Sequence, residues 1–205
     1  MAMKDSFHSR AYHRYFEGYE EREQCNESGG ITIRRFYTGM YYKQDISDKH
    51  RAGTRILFAL AYLLSVTLFL YSATRPVACN AAWYVAIPSV GSLVFLVLTG
   101  VYLFFNLTSP RQMQIRSFRD SHERLTAVSG WTAGFLMATA VFSFFSLVSA
   151  PNAWESTVLC AVMYLLSSLC MFAVCVTERH TRYLTVESDY PHQTKGSRIN
   201  YLADY

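Results

Sequence analysis

The sequence predicts an all-α membrane protein: a bundle of four transmembrane helices with both termini inside, plus a small cytoplasmic N-terminal helix and β-hairpin. Three observations carry that prediction. The first is where charge is missing. Only 17% of the 205 residues are charged, while 51% are hydrophobic; a soluble domain carries charge on about a quarter of its residues. No charged residue falls in the 35 positions between Arg75 and Arg111, the 30 between Arg124 and Glu155, the 22 between Glu155 and Glu178, or the 19 between Arg55 and Arg75. A helix with one wet face shows a charge every turn or two. The second is length: each gap holds the roughly 20 apolar residues that cross a hydrocarbon core of about 30 Å. The third is the asymmetry of Lys and Arg, eighteen of nineteen of which lie in the two tails and the middle loop. Positive residues stay on the cytoplasmic side, so both termini are expected there, in a multi-pass protein of the cell membrane.

Residues 1–50 form the N-terminal tail, 51–176 the bundle and 177–205 the C-terminal tail. In the first tail, residues 9–24 lack Pro and contain good helix formers, which predicts a helix. Tyr12, Tyr15, Phe16 and Tyr19 recur on it at spacings of three and four, an aromatic stripe suited to a partner. Asn26–Gly30 reads as a loop. Residues 31–42 are β-branched and aromatic around Thr38-Gly39, which predicts a hairpin. A lone hairpin is marginal in water, and the strand-like segment 182–187 is expected to pack beside it as a small cap. Ser47 before Asp48 reads as the N-cap of the first helix.

The apolar stretches run over about 56–73, 83–105, 126–149 and 156–176, with Pro76 and Asn80, then Pro151 and Asn152, in the outer turns. Trp83 and Trp154 belong at the outer interface and Trp131 near the inner one. Pro88 and Gly91 are set to kink the second helix. Ser and Thr inside the helices, among them Ser65, Ser92, Thr99, Thr132, Thr139, Ser143, Ser167 and Ser168, predict interhelical hydrogen bonds. Gly130, Gly134 and Ala138 form a small-residue ridge suited to close helix packing. The mean hydropathy of only +0.09 reflects the polar tails.

The apolar stretches contain no Asp, Glu, Lys, Arg or His. Proton-coupled pumps use ionisable relays inside the membrane, and haem cytochromes of this size need His within the helices. Neither class fits. No catalytic motif or phosphate-binding glycine loop is present. The five Cys contain no CxxC pair, so thiol redox chemistry is not expected. His50, His122 and His180 mark the inner ends of helices, with Asp48, Glu123 and Glu178 beside them. They lack metal-ligand spacing and read as interfacial charge pairing, so no catalytic residue, metal or cofactor is assigned. A modest net charge of +4, with acids interleaved in the tail, argues against nucleic acid. The basic loop from Arg111 to Arg124 is suited to anionic lipid.

The expected function is that of a non-catalytic accessory or scaffold subunit. Its partners are the bilayer and a membrane or cytoplasmic protein, or a second copy. The alternative is an oligomeric transporter or channel for a neutral solute. A third reading, an enzyme using His50, His122 or His180 at the inner surface, has the least support.

Overall fold

The computed structural model describes residues 17–25, 31–149 and 154–187. Four long helices dominate: α1 (Asp48–Ala73), α2 (Trp83–Thr108), α3 (Arg124–Ser149) and α4 (Trp154–His180). All four are long and apolar enough to cross a membrane. Each contains one expected apolar stretch, and polar turns extend most of them. α1 begins at Asp48, where the Ser47 hydroxyl accepts the His50 amide at 3.3 Å, as the Ser-Asp pair predicts. The turn at Pro151 and Asn152 lies outside the described residues.

α3 packs most broadly on α4, α2 lies against α3, and α1 lies against α4. The buried positions recur at spacings of three and four: Ser65, Phe69 and Ser72 on α1, Ser92, Leu96, Thr99 and Leu103 on α2. On α3 they are Leu125, Ser129, Thr132, Leu136 and Thr139, and on α4 Tyr164, Ser167, Met171 and Val174. This 3.5-residue repeat is the seam of left-handed bundle packing.

The seam is rich in hydroxyls and the outer surface is apolar. Leu57, Leu60, Leu63, Val97, Phe104, Phe145 and Phe172 are all exposed. In water each would forgo about 1.5–3 kcal/mol of burial; against lipid tails it forgoes nothing. The expected interhelical hydrogen bonds form. Ser65 Oγ lies 2.7 Å from Ser167 Oγ, Thr99 Oγ1 2.8 Å from Thr132 Oγ1, and the Ser168 hydroxyl donates to the Ala133 carbonyl at 2.8 Å.

The two glycines of the α3 ridge differ in surroundings. Gly134 is exposed, and a Cβ there would meet nothing within 4 Å; at Gly130 a Cβ would sit 3.4 Å from Cys175 Sγ. Ala138 is half-buried. The glycines with the least room for a side chain are on α2. A Cβ at Gly91 would lie 2.7 Å from the Phe135 ring, and Gly100 faces the Tyr62 phenol, which donates to the Leu96 carbonyl at 3.3 Å. α2 runs through Pro88 without interruption.

At the end where α1 starts and α4 stops, five short strands form a cap. β1 (Tyr19–Cys25) pairs antiparallel with β2 (Ile31–Tyr37), from Tyr19 opposite Tyr37 to Cys25 opposite Ile31. β3 (Tyr41–Gln44) is the centre of a second sheet, between β4 (Gln112–Met113) and β5 (Tyr183–Val186), antiparallel to both. The strand expected over 182–187 is therefore present, paired to β3.

Two tail expectations are corrected. Residues 19–24 are strand, not the end of a helix over 9–24. Glu- and Arg-rich sequence has good helix propensity, but propensity is a weak prior that tertiary pairing overrides. The expected hairpin is present but lies earlier in the chain: β1 and β2 pair antiparallel across residues 26–30, which lie outside the described residues, so 31–42 are not its two arms. The Thr38-Gly39 corner lacks the Asn-Gly chemistry of a tight hairpin turn. Its Thr38 and Gly39 amides donate instead to the Gly18 carbonyl at 2.8 and 3.0 Å. Gly18 has φ 82°, a left-handed conformation that glycine adopts without penalty.

Between α2 and α3 the chain makes β4, a helical turn at Ile115–Phe118 and a π-helical turn at Arg119–Glu123. The loop joins the cap through the Tyr19 hydroxyl to Gln114 Oε1 at 2.8 Å, the Ile115 amide to the Tyr37 hydroxyl at 3.0 Å, and the Arg119–Glu17 ion pair at 2.9 Å.

Candidate functional site

Where the apolar seams run out at the cap end, each continues into a polar residue. One further step along α4 and α2 reaches buried Glu178 and Asn106, one step back from α3 reaches buried Ser121, and on α1 the seam continues through buried Phe58 to half-buried Arg55. Glu178 is only 1% exposed. A carboxylate taken out of water is costly unless it is hydrogen-bonded. Its Oε1 faces three donors: His122 Nδ1 at 2.9 Å, the Tyr183 hydroxyl at 2.9 Å, and Asn106 Nδ2 at a longer 3.5 Å. With the imidazole doubly protonated, the His122 contact is also an ion pair.

Each partner arrives from a different element. The π turn carries Ser121 and His122; a π turn widens the helix by one residue, and such turns are often found at functional positions. Asn106 also donates to the Ser121 carbonyl at 3.0 Å, joining α2 to that turn. Tyr183 lies on β5, and its hydroxyl accepts from Gln44 Nε2 of β3 at 2.9 Å. One carboxylate thus connects α2, α4, the π turn and, through Tyr183, both strands.

Aromatic rings close over it. Phe118 stacks on His122 with centroids 5.1 Å apart and meets Tyr183 edge-on at 4.9 Å, while Tyr42 stacks on Phe118 at 4.2 Å. Burial pushes the Tyr183 phenol well above its ordinary pKa, and the negative Glu178 beside it adds to the rise. The phenol stays protonated and keeps donating to Glu178. No family model, curated protein or solved structure matches the chain.

Beside the cluster, two arginines of α1 cap the end of α2. Arg55 Nη2 donates to the carbonyls of Asn106 and Ser109 at 2.8 and 2.7 Å and to Ser109 Oγ at 2.7 Å. Arg51 Nη2 donates to the carbonyls of Ser109 and Pro110, each at 2.8 Å. The last carbonyls of a helix have no partner within it and carry its negative end, so cations are favoured there.

The chemistry open to this cluster is limited. Ser121 Oγ bonds Met113 Sδ at 3.3 Å, so it is not paired with His122 as an activated nucleophile would be. Among the described residues, no three His, Cys, Asp or Glu side chains gather to hold a metal. Among the described residues, only His122 of the three helix-end histidines joins a carboxylate. His50 is exposed, and the exposed His180 ring contacts the Val176 carbonyl of its own helix at 2.8 Å. Of the aromatic stripe, Tyr12, Tyr15 and Phe16 lie outside the described residues. Tyr19 is on a strand, spent on Gln114 and on an edge-on contact with Tyr37 at 5.1 Å. Sequence reasoning named Glu178 and His122 but not their union, and missed Tyr183, Asn106, Gln44 and the arginine pair.

Proposed function

We propose that the protein is a multi-pass protein of the cell membrane, with both termini cytoplasmic, and acts as a non-catalytic scaffold or accessory subunit. Its cytoplasmic strand cap receives a protein partner. Among the described residues, Arg75 is the one Lys or Arg at the end of the bundle away from the cap, and positive-inside bias supports a cytoplasmic cap.

One observation carries the scaffold reading: the second sheet is anchored on one face, and its other face holds exposed apolar side chains beside Lys43. Gln44, Tyr183 and Met113 turn toward the bundle end and bind into the Glu178 cluster. The register places Leu184 beside Lys43 and Val186 beside Tyr41, on the opposite face, with Leu184 51% exposed. Apolar side chains held on a rigid, water-facing sheet mark an interaction surface. The transporter reading has less support, because most of the interior hydroxyls that would line a path are bonded to one another or to helix carbonyls.

The test is a photo-cross-linker at Leu184 in native membranes, followed by mild-detergent purification and mass spectrometry. A stoichiometric partner cross-linked there is expected. Recovery of only a defined homo-oligomer, together with solute flux after reconstitution, would replace this reading with the transporter one.

A further inference from the structure

Arg51 and Arg55 stand one turn apart on α1, at the level where the apolar seam ends. Each spends one terminal nitrogen on the end of α2, and in each the Nε is buried without a hydrogen-bond partner. A buried unpaired donor is uncommon and costs about 1–3 kcal/mol. Neither guanidinium has a carboxylate within ion-pair distance among the described residues. The acids nearby are already engaged: Asp48 pairs with Arg111 at 3.1 Å, and Glu178 is held by His122, Tyr183 and Asn106. The Nε atoms themselves are sealed from solvent, but both side chains are partly exposed, so two cations side by side with no carboxylate to neutralise them form an anion site open from that exposed side. Planar guanidinium donors suit a phosphate oxygen better than any other side chain does.

We propose that Arg51 and Arg55 together bind a phosphate-bearing anion at the junction of α1, the end of α2 and the cap. Two sources supply that chemistry: the headgroup of an anionic phospholipid, or free phosphate. The lipid source rests on the membrane placement proposed above, whereas the site itself does not.

The experiment uses the full-length chain in a neutral maltoside detergent, with its thermal unfolding midpoint read by tryptophan fluorescence. One arm adds phosphatidylglycerol against phosphatidylcholine as mixed micelles. The other adds inorganic phosphate against chloride at matched ionic strength. The variants are Arg51→Gln, Arg51→Lys and, as a control, Lys49→Gln, which removes an exposed cation nearby. The expected result is a midpoint raised by one anion, with half-saturation shifted about tenfold upward in Arg51→Gln, the loss of roughly one charge-assisted hydrogen bond. Arg51→Lys keeps the charge without the fork and is also expected to weaken binding, which keeps the test open if Arg51→Gln does not fold. Lys49→Gln is expected to bind like the parent. A response to phosphatidylglycerol alone assigns the headgroup, and a response to phosphate assigns the free ion. No response to either anion, or equal weakening by Lys49→Gln and the Arg51 variants, would overturn the site.

Discussion

At Tyr183 a single hydroxyl donates to Glu178 and accepts from Gln44, so its proton sits at the joint between cap and bundle. Because the folded pKa is raised, the unfolded chain gives up this proton first as pH climbs past about 10, the ordinary tyrosine value. The contribution of Tyr183 is therefore complete below that pH and is lost above it. Tyr37 is raised in the same direction by burial, opposed by the hydrogen bond from the Ile115 amide. Denaturant unfolding in detergent between pH 8 and 11 should show stability falling through the alkaline half. Tyr183→Phe should flatten part of that fall and leave the share of Tyr37. At neutral pH the same variant should cost about 1–3 kcal/mol, because Gln44 and Glu178 each lose a partner. An unchanged alkaline slope would mean that Tyr183 is not buried against Glu178 in solution.

The helices meet through their 3.5-residue seams, and the pair α1–α4 tests how much the hydroxyls on them contribute. Ser65 and Ser167 are each 0% exposed and bond reciprocally: Ser167 Oγ donates to the Ser65 carbonyl at 2.9 Å. A double-mutant cycle of Ser65→Ala and Ser167→Ala should give a coupling energy of about 0.6 kcal/mol, and not more than about 2. Zero coupling would assign the interface to packing alone. The same seam explains what was legible in the sequence. Absent charge and apolar length located all four helices, and Ser47 located the start of α1, because these are local signals. The strands were harder: β1 is a run of Glu, Arg and Gln whose conformation is decided by a partner twelve positions away. The candidate site was harder again, since His122 meets Glu178 across 56 positions. A signal was nonetheless present. Extending Tyr164, Ser167, Met171 and Val174 by one step lands on Glu178, and extending Thr99 and Leu103 lands on Asn106. Those steps place both polar residues on the buried face, not on a solvated helix end.

On the scale of the whole molecule, the two ends of the bundle differ in charge and in construction. The cap end carries strands, the arginine pair and the Glu178 cluster. The other end is a short turn in which Asn80 Nδ2 donates to the Ser72 and Arg75 carbonyls at 2.8 and 3.0 Å. The proposed orientation makes a direct prediction. A thiol introduced at Trp83, which is 73% exposed, should react with an impermeant maleimide on intact cells. One introduced at exposed Lys49 should react only after permeabilisation. The opposite pattern would place the cap outside the cell and end the cytoplasmic-scaffold reading.

The hydroxyls on the seams also bear on the order of assembly. Ser92, Thr99, Thr132, Thr139 and Ser143 each lie within hydrogen-bond reach of the carbonyl four residues earlier in their own helix, so α2 and α3 can enter lipid with these groups satisfied, and on docking one of Thr99 and Thr132 gives its proton to the other. Ser65 and Ser167 bond only across to each other's helix. The Ser65–Ser167 pair can therefore form only once a helix synthesised about a hundred residues after α1 has docked on it. The docking of the last helix onto the first is then the step that closes the bundle. A nascent chain stopped short of α4 would hold an open three-helix intermediate, the natural point for quality control to act.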